Sequence, residues 1–207
     1  MKKKDLAEQW RRTGLVSDRE VLQAFEAVDR EKFILKDFLD ESYGDYPLPI
    51  GYDQTISQPS TIIIMLQALE LKKKDIVLEI GAGSGYNAAL ISRICSKVYS
   101  IEIIKDLAVF ASENLARAGI KNVEVLHADG SLGYEKAAPY DRIIVTAACP
   151  AIPPPLLQQL EVEGIIVAPV GDVLGQKMIK GVKTREGMNY SSLGDFQFVP
   201  LAGQYGR

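Results

Sequence analysis

Val77-Leu78-Glu79-Ile80-Gly81-Ala82-Gly83-Ser84-Gly85-Tyr86 is the stretch on which the fold turns. An apolar run leads straight into glycines at 81, 83 and 85, and a helix-length segment follows. Glycine there permits a tight turn and lets backbone come close to a ligand with no side chain in the way. Outward from this turn, short apolar runs recur at Ile76 to Ile80, Val98 to Ile101, Val123 to Leu126, Ile143 to Val145 and Ile165 to Ala168. Helix-length segments separate them. One is well marked: Leu107, Phe110, Ala111, Leu115 and Ala118 share a face, and Gly119 supplies a stop. This alternation predicts an α/β fold, a doubly wound, mostly parallel sheet with helices on both faces. Upstream, Ser17 and Glu20 read as a capping box before Val21, Leu22, Phe25 and Val28. A loop is expected from Asp40 to Ile56, then a helix with Ser57 as N-cap and Pro59 in its first turn. The tail from Met178 to Leu201 alternates like antiparallel strands.

Acidic residues lie where a ligand at the strand ends needs them. Glu102 closes the strand after the glycine turn, placed to accept hydrogen bonds from ribose hydroxyls, and Asp129-Gly130 follows the third strand. A dinucleotide fingerprint asks for glycine at the sixth position, which is Tyr86 here, so an NAD-dependent oxidoreductase fits less well. The spacing resembles instead the nucleoside-binding turn of S-adenosylmethionine-dependent methyltransferases. That resemblance implies a Rossmann-like methyltransferase fold and cofactor contacts from Glu79, Gly81, Ala82, Gly83, Ser84, Gly85, Glu102, Asp129 and Gly130.

Pro47-Leu-Pro-Ile-Gly-Tyr-Asp-Gln-Thr-Ile-Ser-Gln-Pro59 is similar to the hallmark of the protein-L-isoaspartate O-methyltransferase family. Likeness extends to Arg30 to Phe33 (REKF), Ala138 to Leu157, Pro169 to Gly171 and Phe198 to Gly203. The resemblance implies methylation of the free α-carboxyl of L-isoaspartyl residues in damaged proteins, the ester promoting return to a normal peptide bond through a succinimide. It implies that Ser57 is the active-site serine, that Thr55 and Ile56 flank the cofactor, and that the Phe198 to Leu201 segment borders the substrate cleft. If Ser57 also caps its helix, its hydroxyl and the free N–H groups of the first turn form an anion site. The family usually carries glycine where this chain has Asp53, which raises the question of a negative charge beside an anionic substrate. A related enzyme acting on a small molecule or another carboxyl, and a binding module without turnover, are the rival readings.

Bulk properties agree. With 207 residues, 47% hydrophobic and 25% charged, the chain is expected to form a single domain over 1–207: a helical and substrate-loop part (1–74), a cofactor core (75–170) and a strand region (171–207). A net charge of -3 gives no reason to expect nucleic acid or membrane as partner. The Met1 to Lys4 start lacks the apolar stretch of an export signal, and Ile62 to Leu66 is too short to span a bilayer. Cys95 and Cys149 neither cluster nor lie near a histidine in sequence, so no metal or disulfide framework is expected. The expectation is a cytoplasmic monomer whose lone histidine, His127, ends a strand and plays no catalytic part.

Overall fold

The computed structural model describes residues 2–172 and 174–206; Met1, Val173 and Arg207, the two ends and one strand-region position of the expected domain, lie outside them. Helices α1 (Lys3–Thr13) and α2 (Arg19–Ala27) each bury one apolar stripe, Leu6, Ala7 and Trp10 on the first and Val21, Leu22, Ala24 and Phe25 on the second. The Trp10 and Phe25 rings meet with centroids 4.6 Å apart. The cap of α2 is Asp18 and not Ser17: the Asp18 carboxylate accepts the backbone N–H groups of Glu20 and Val21. Ser17 is drawn elsewhere, its N–H donating to the Gln67 side chain at 2.7 Å. A tertiary partner here displaces the local box.

The expected loop from Asp40 to Ile56 contains instead an antiparallel hairpin, β1 (Leu48–Gly51) and β2 (Gln54–Ile56). It turns through Tyr52 and Asp53, both at φ 55°. Leu48 and Ile50 alternate inward with exposed neighbours, but the strand is too short, and too rich in proline and glycine, for that period to stand out. Helix α3 (Pro59–Leu69) follows, opened by Pro59, with Ile62, Ile63, Met65, Leu66 and Leu69 buried.

From here the chain alternates: β3 (Ile76–Ile80), α4 (Tyr86–Ile91), β4 (Lys97–Glu102), α5 (Lys105–Arg117), β5 (Val123–His127), β6 (Tyr140–Val145), α6 (Pro154–Gln159) and β7 (Leu160–Asp172). The antiparallel pair β8 (Gly175–Thr184) and β9 (Gly187–Phe196) completes a seven-stranded sheet of order β5-β4-β3-β6-β7-β8-β9. Strands β3 to β7 pair in parallel. The chain winds outward from β3 through β4 to β5, then returns to pair β6 on the other side of β3. That reversal opens a crevice at the carboxyl ends of β3 and β6, the place where open α/β sheets hold ligands. Each apolar run marked a real strand, and β7 extends well beyond its apolar centre because β8 pairs with it from Ile165 to Asp172. Among the described residues, no helix is long and apolar enough to cross a membrane.

Candidate active site

A cavity of about 980 Å³, counting its open mouth, occupies that crevice. Its floor is the glycine-rich turn, with Gly81, Ala82, Gly83 and Ser84 in the lining together with Glu102 and Gly130. Gly81 has φ 93°, and a Cβ there would collide with the Thr146 side chain. Thr146 ties the turn to the end of β6, its hydroxyl 2.8 Å from the Gly81 carbonyl and 3.0 Å from that of Ile80. Glu102 is fixed by its own loop: the Gly83 N–H donates to one carboxylate oxygen at 2.9 Å, the Ile104 N–H to the other at 3.0 Å. Both oxygens keep lone pairs for further donors.

Three residues expected to touch the cofactor do not line the cavity. Glu79 is fully buried beneath the turn, where it accepts hydrogen bonds from Asn87 Nδ2 at 2.7 Å and from the Ser100 hydroxyl. Burial pushes its carboxyl up to about 7 against those two donors. Its neighbour Asn87 reaches the lining in its place, with Oδ1 buried and lacking a partner among the described residues. Gly85 stands behind the turn, where a Cβ would lie 3.1 Å from the Ala111 carbonyl; it lets α4 and α5 pack closely. Asp129 binds the Ser131 N–H at 2.9 Å and the Gln204 N–H at 2.8 Å, so it anchors the C-terminal segment.

The opposite wall comes from the hairpin and the tail. Ile50, Thr55, Ile56 and Ser57 face the glycine turn, and Val199 to Ala202 close one side. The tail is docked by backbone bonds: Ala148 N–H to the Val199 carbonyl and Leu201 N–H to the Ala148 carbonyl, both 2.8 Å. Ser57 is not the cap of α3. Gln58 occupies that position, and the first turn is held from outside by Asp45, which accepts from the Ser60 N–H at 2.9 Å and the Ser60 hydroxyl at 2.6 Å. Trp10 Nε1 donates to the same hydroxyl at 2.8 Å. The expectation of a free anion site at this helix N-terminus is therefore corrected: a carboxylate of the protein itself already binds there.

Behind Ser57 lies Arg30, the first residue of REKF, for which the sequence suggests no role. Its Nη2 donates to the Ser57 carbonyl at 3.0 Å, and its guanidinium stacks 5.2 Å over the Tyr86 ring. Nothing local in the sequence marks it; the Ser57 carbonyl lies 27 residues away and Tyr86 further still. Asp53 projects from the hairpin tip into solvent, outside the cavity lining, and Tyr52 next to it donates to Asp106 at 2.7 Å. Cys149 is buried and its thiol pushed up to about 11 by desolvation, so it is no nucleophile at neutral pH. His127 is exposed at the end of β5.

A second groove, about 1300 Å³, runs between α3 and the tail. It shares Thr55, Ser57, Thr146 and Val199 with the first cavity. One site thus has two chambers meeting at Ser57.

Residues 1–206 match a known family model, protein-L-isoaspartate(D-aspartate) O-methyltransferase. A protein-L-isoaspartate O-methyltransferase of Methanoculleus marisnigri is 48% identical over 191 residues, spanning 92% of this chain and 87% of the relative. Among solved structures, a protein-L-isoaspartate O-methyltransferase superposes with a TM-score of 0.90 at 28% identity, covering 99% of this chain and 67% of the other. A second, a Plasmodium falciparum beta-aspartate methyltransferase in complex with S-adenosyl-L-homocysteine, does so at 0.86 and 26%, covering 98% and 99%. Sheet order, the glycine turn at the switch point and this likeness along nearly the full length agree: the chain belongs to the protein-L-isoaspartate(D-aspartate) O-methyltransferase family.

Proposed function

We propose that this protein transfers a methyl group from S-adenosylmethionine to the free α-carboxyl of L-isoaspartyl residues in damaged proteins and peptides, initiating their repair. The observation that carries the reading is the meeting of the two chambers at Thr55, Ser57, Thr146 and Val199. One chamber has the features a nucleoside needs: a glycine floor, and a carboxylate at Glu102 held in place with acceptor capacity to spare. The other chamber is a long groove bordered by α3 and the tail, suited to an extended peptide.

When bound, the cofactor supplies a methyl group on a positively charged sulfur. An oxygen of the substrate carboxylate forms the new bond while the sulfur–carbon bond breaks, leaving a methyl ester and a neutral thioether. An α-carboxyl ordinarily titrates at roughly 3.5, so the acceptor is already ionised at neutral pH and no general base is required. The protein's task is to align the acceptor and keep water out. Glu102 and the Gly81 to Ser84 backbone hold the cofactor side. The Ser57 hydroxyl orients the acceptor oxygen, and Ile56, Met65 and Leu201 give the cofactor chamber an apolar lining. Two buried free thiols suit a reducing cytoplasm.

A methyl-transfer assay with an L-isoaspartyl peptide and its normal aspartyl twin tests the reading. Strong preference for the isoaspartyl peptide is expected. Equal turnover of the two, or none, removes it.

A further inference from the structure

Arg30 presents a physical problem that the family assignment does not solve. The residue is fully buried, forms no salt bridge among the described residues, and leaves Nε and Nη1 without hydrogen-bond partners there. Burying a guanidinium without a counter-charge carries a large desolvation penalty, and arginine cannot escape it by losing its proton. Asp45 lies in electrostatic range and offsets part of this charge, but its oxygens accept from Ser60 and do not pair directly with the guanidinium, and Glu31 accepts the Tyr43 hydroxyl at 2.5 Å. What Arg30 does touch borders the reaction chamber: Ser57 through its carbonyl, Tyr86 through its ring. With Asp45 already bound at the α3 N-terminus, Arg30 is the cation behind Ser57.

We propose that Arg30 is a positioning residue for the methyl acceptor: it pins the Ser57 backbone where the two chambers meet, and its charge, with no directly paired carboxylate, favours a carboxylate over a neutral group there. The inference rests on the acceptor being the isoaspartyl carboxylate. A fully buried charge of this kind acts over a longer distance than it would at the surface. The substrate then adds to a counter-charge that Asp45 supplies only in part.

The test compares an isoaspartyl peptide with its α-carboxamide analogue, titrated calorimetrically into protein saturated with S-adenosylhomocysteine. In the unaltered protein the acid should bind roughly ten-fold or more tighter than the amide, the scale of a hydrogen bond or contact to a charged group. Arg30→Met should bring that ratio down to about two-fold or less, with the amide and S-adenosylhomocysteine affinities kept; Arg30→Lys should retain part of it. An unchanged ratio in Arg30→Met overturns the proposal, as does an equal loss for acid and amide, which marks a purely structural role. Should Arg30→Met fail to fold, Arg30→Gln, uncharged but still able to donate to the Ser57 carbonyl, decides, since a ratio equal to that of the unaltered protein overturns the proposal too. Equal binding of acid and amide by the unaltered protein overturns it without any variant. Failure of the functional reading is distinguishable: the unaltered protein then shows no preference for turning over the isoaspartyl peptide, whereas turnover with an unshifted ratio removes only the role of Arg30.

Discussion

The two walls of the cavity are built in opposite ways. The cofactor wall is made by neighbours in sequence: a strand, its glycine turn, and an acidic residue ending the adjacent strand, locked by bonds from Gly83 and Ile104. The acceptor wall is assembled from distant pieces, with Arg30 behind Ser57, Asp45 on the first turn of α3, Trp10 on Ser60 and the tail at Val199. The first wall depends on backbone conformation, the second on packing. Damage to the two should therefore differ in kind.

The largest effect is expected from Gly81→Val. A side chain there must adopt φ 93° and displace Thr146, so affinity for S-adenosylhomocysteine measured by calorimetry should fall about 100-fold or more, the equivalent of roughly 3 kcal/mol of strain and lost contact. Retained affinity would mean that the turn is not the cradle.

A pair of substitutions breaks the acceptor wall in two distinct places. Ser57→Ala should lower kcat on the order of ten- to 100-fold, because an orienting group is lost, while thermal stability holds, because Ser57 caps no helix. Asp45→Ala should do the reverse, costing about 1–2 kcal/mol and several degrees of Tm through loss of the Ser60 bonds, with a smaller effect on kcat. Scanning calorimetry beside initial rates separates them; a Ser57→Ala protein that is fully active but melts early would reverse the assignment.

The smallest effect belongs to Asp53→Gly. The residue is exposed at φ 55° and lies outside the cavity lining, and the strain it relieves is partly offset by a more flexible unfolded chain. Stability should change by no more than about 1 kcal/mol, and peptide affinity by less than about two-fold. A large gain in peptide affinity would show that the hairpin tip reaches the substrate after all.

Legibility in the sequence follows the same division. The span of β3 is readable to the residue, and β4, β5 and β6 to within a few, because buried parallel strands are short apolar runs bounded by polar turns. Glu102 is legible from its distance to the turn. Asp129 has the right spacing too, yet its side chain goes to the tail segment, whose approach no local pattern announces. Asn87 is hidden by an ordinary helix position. The hairpin at Leu48 to Ile56 is hidden by its length, and the caps expected at Ser17 and Ser57 fall elsewhere because Gln67 and Asp45, remote in sequence, compete for the same groups.

By itself the sequence determined what neighbouring residues can decide: the alternation that makes a parallel sheet, the glycines that let β3 end in a tight turn, and the family likeness those segments carry. Only the tertiary structure decided which side of Ser57 meets a charge, which carboxylate caps α3, and that two chambers share one junction. Backbone preference is set by a residue and those beside it, whereas the pairing of a buried cation with a carbonyl 27 residues on exists only once packing has brought them together.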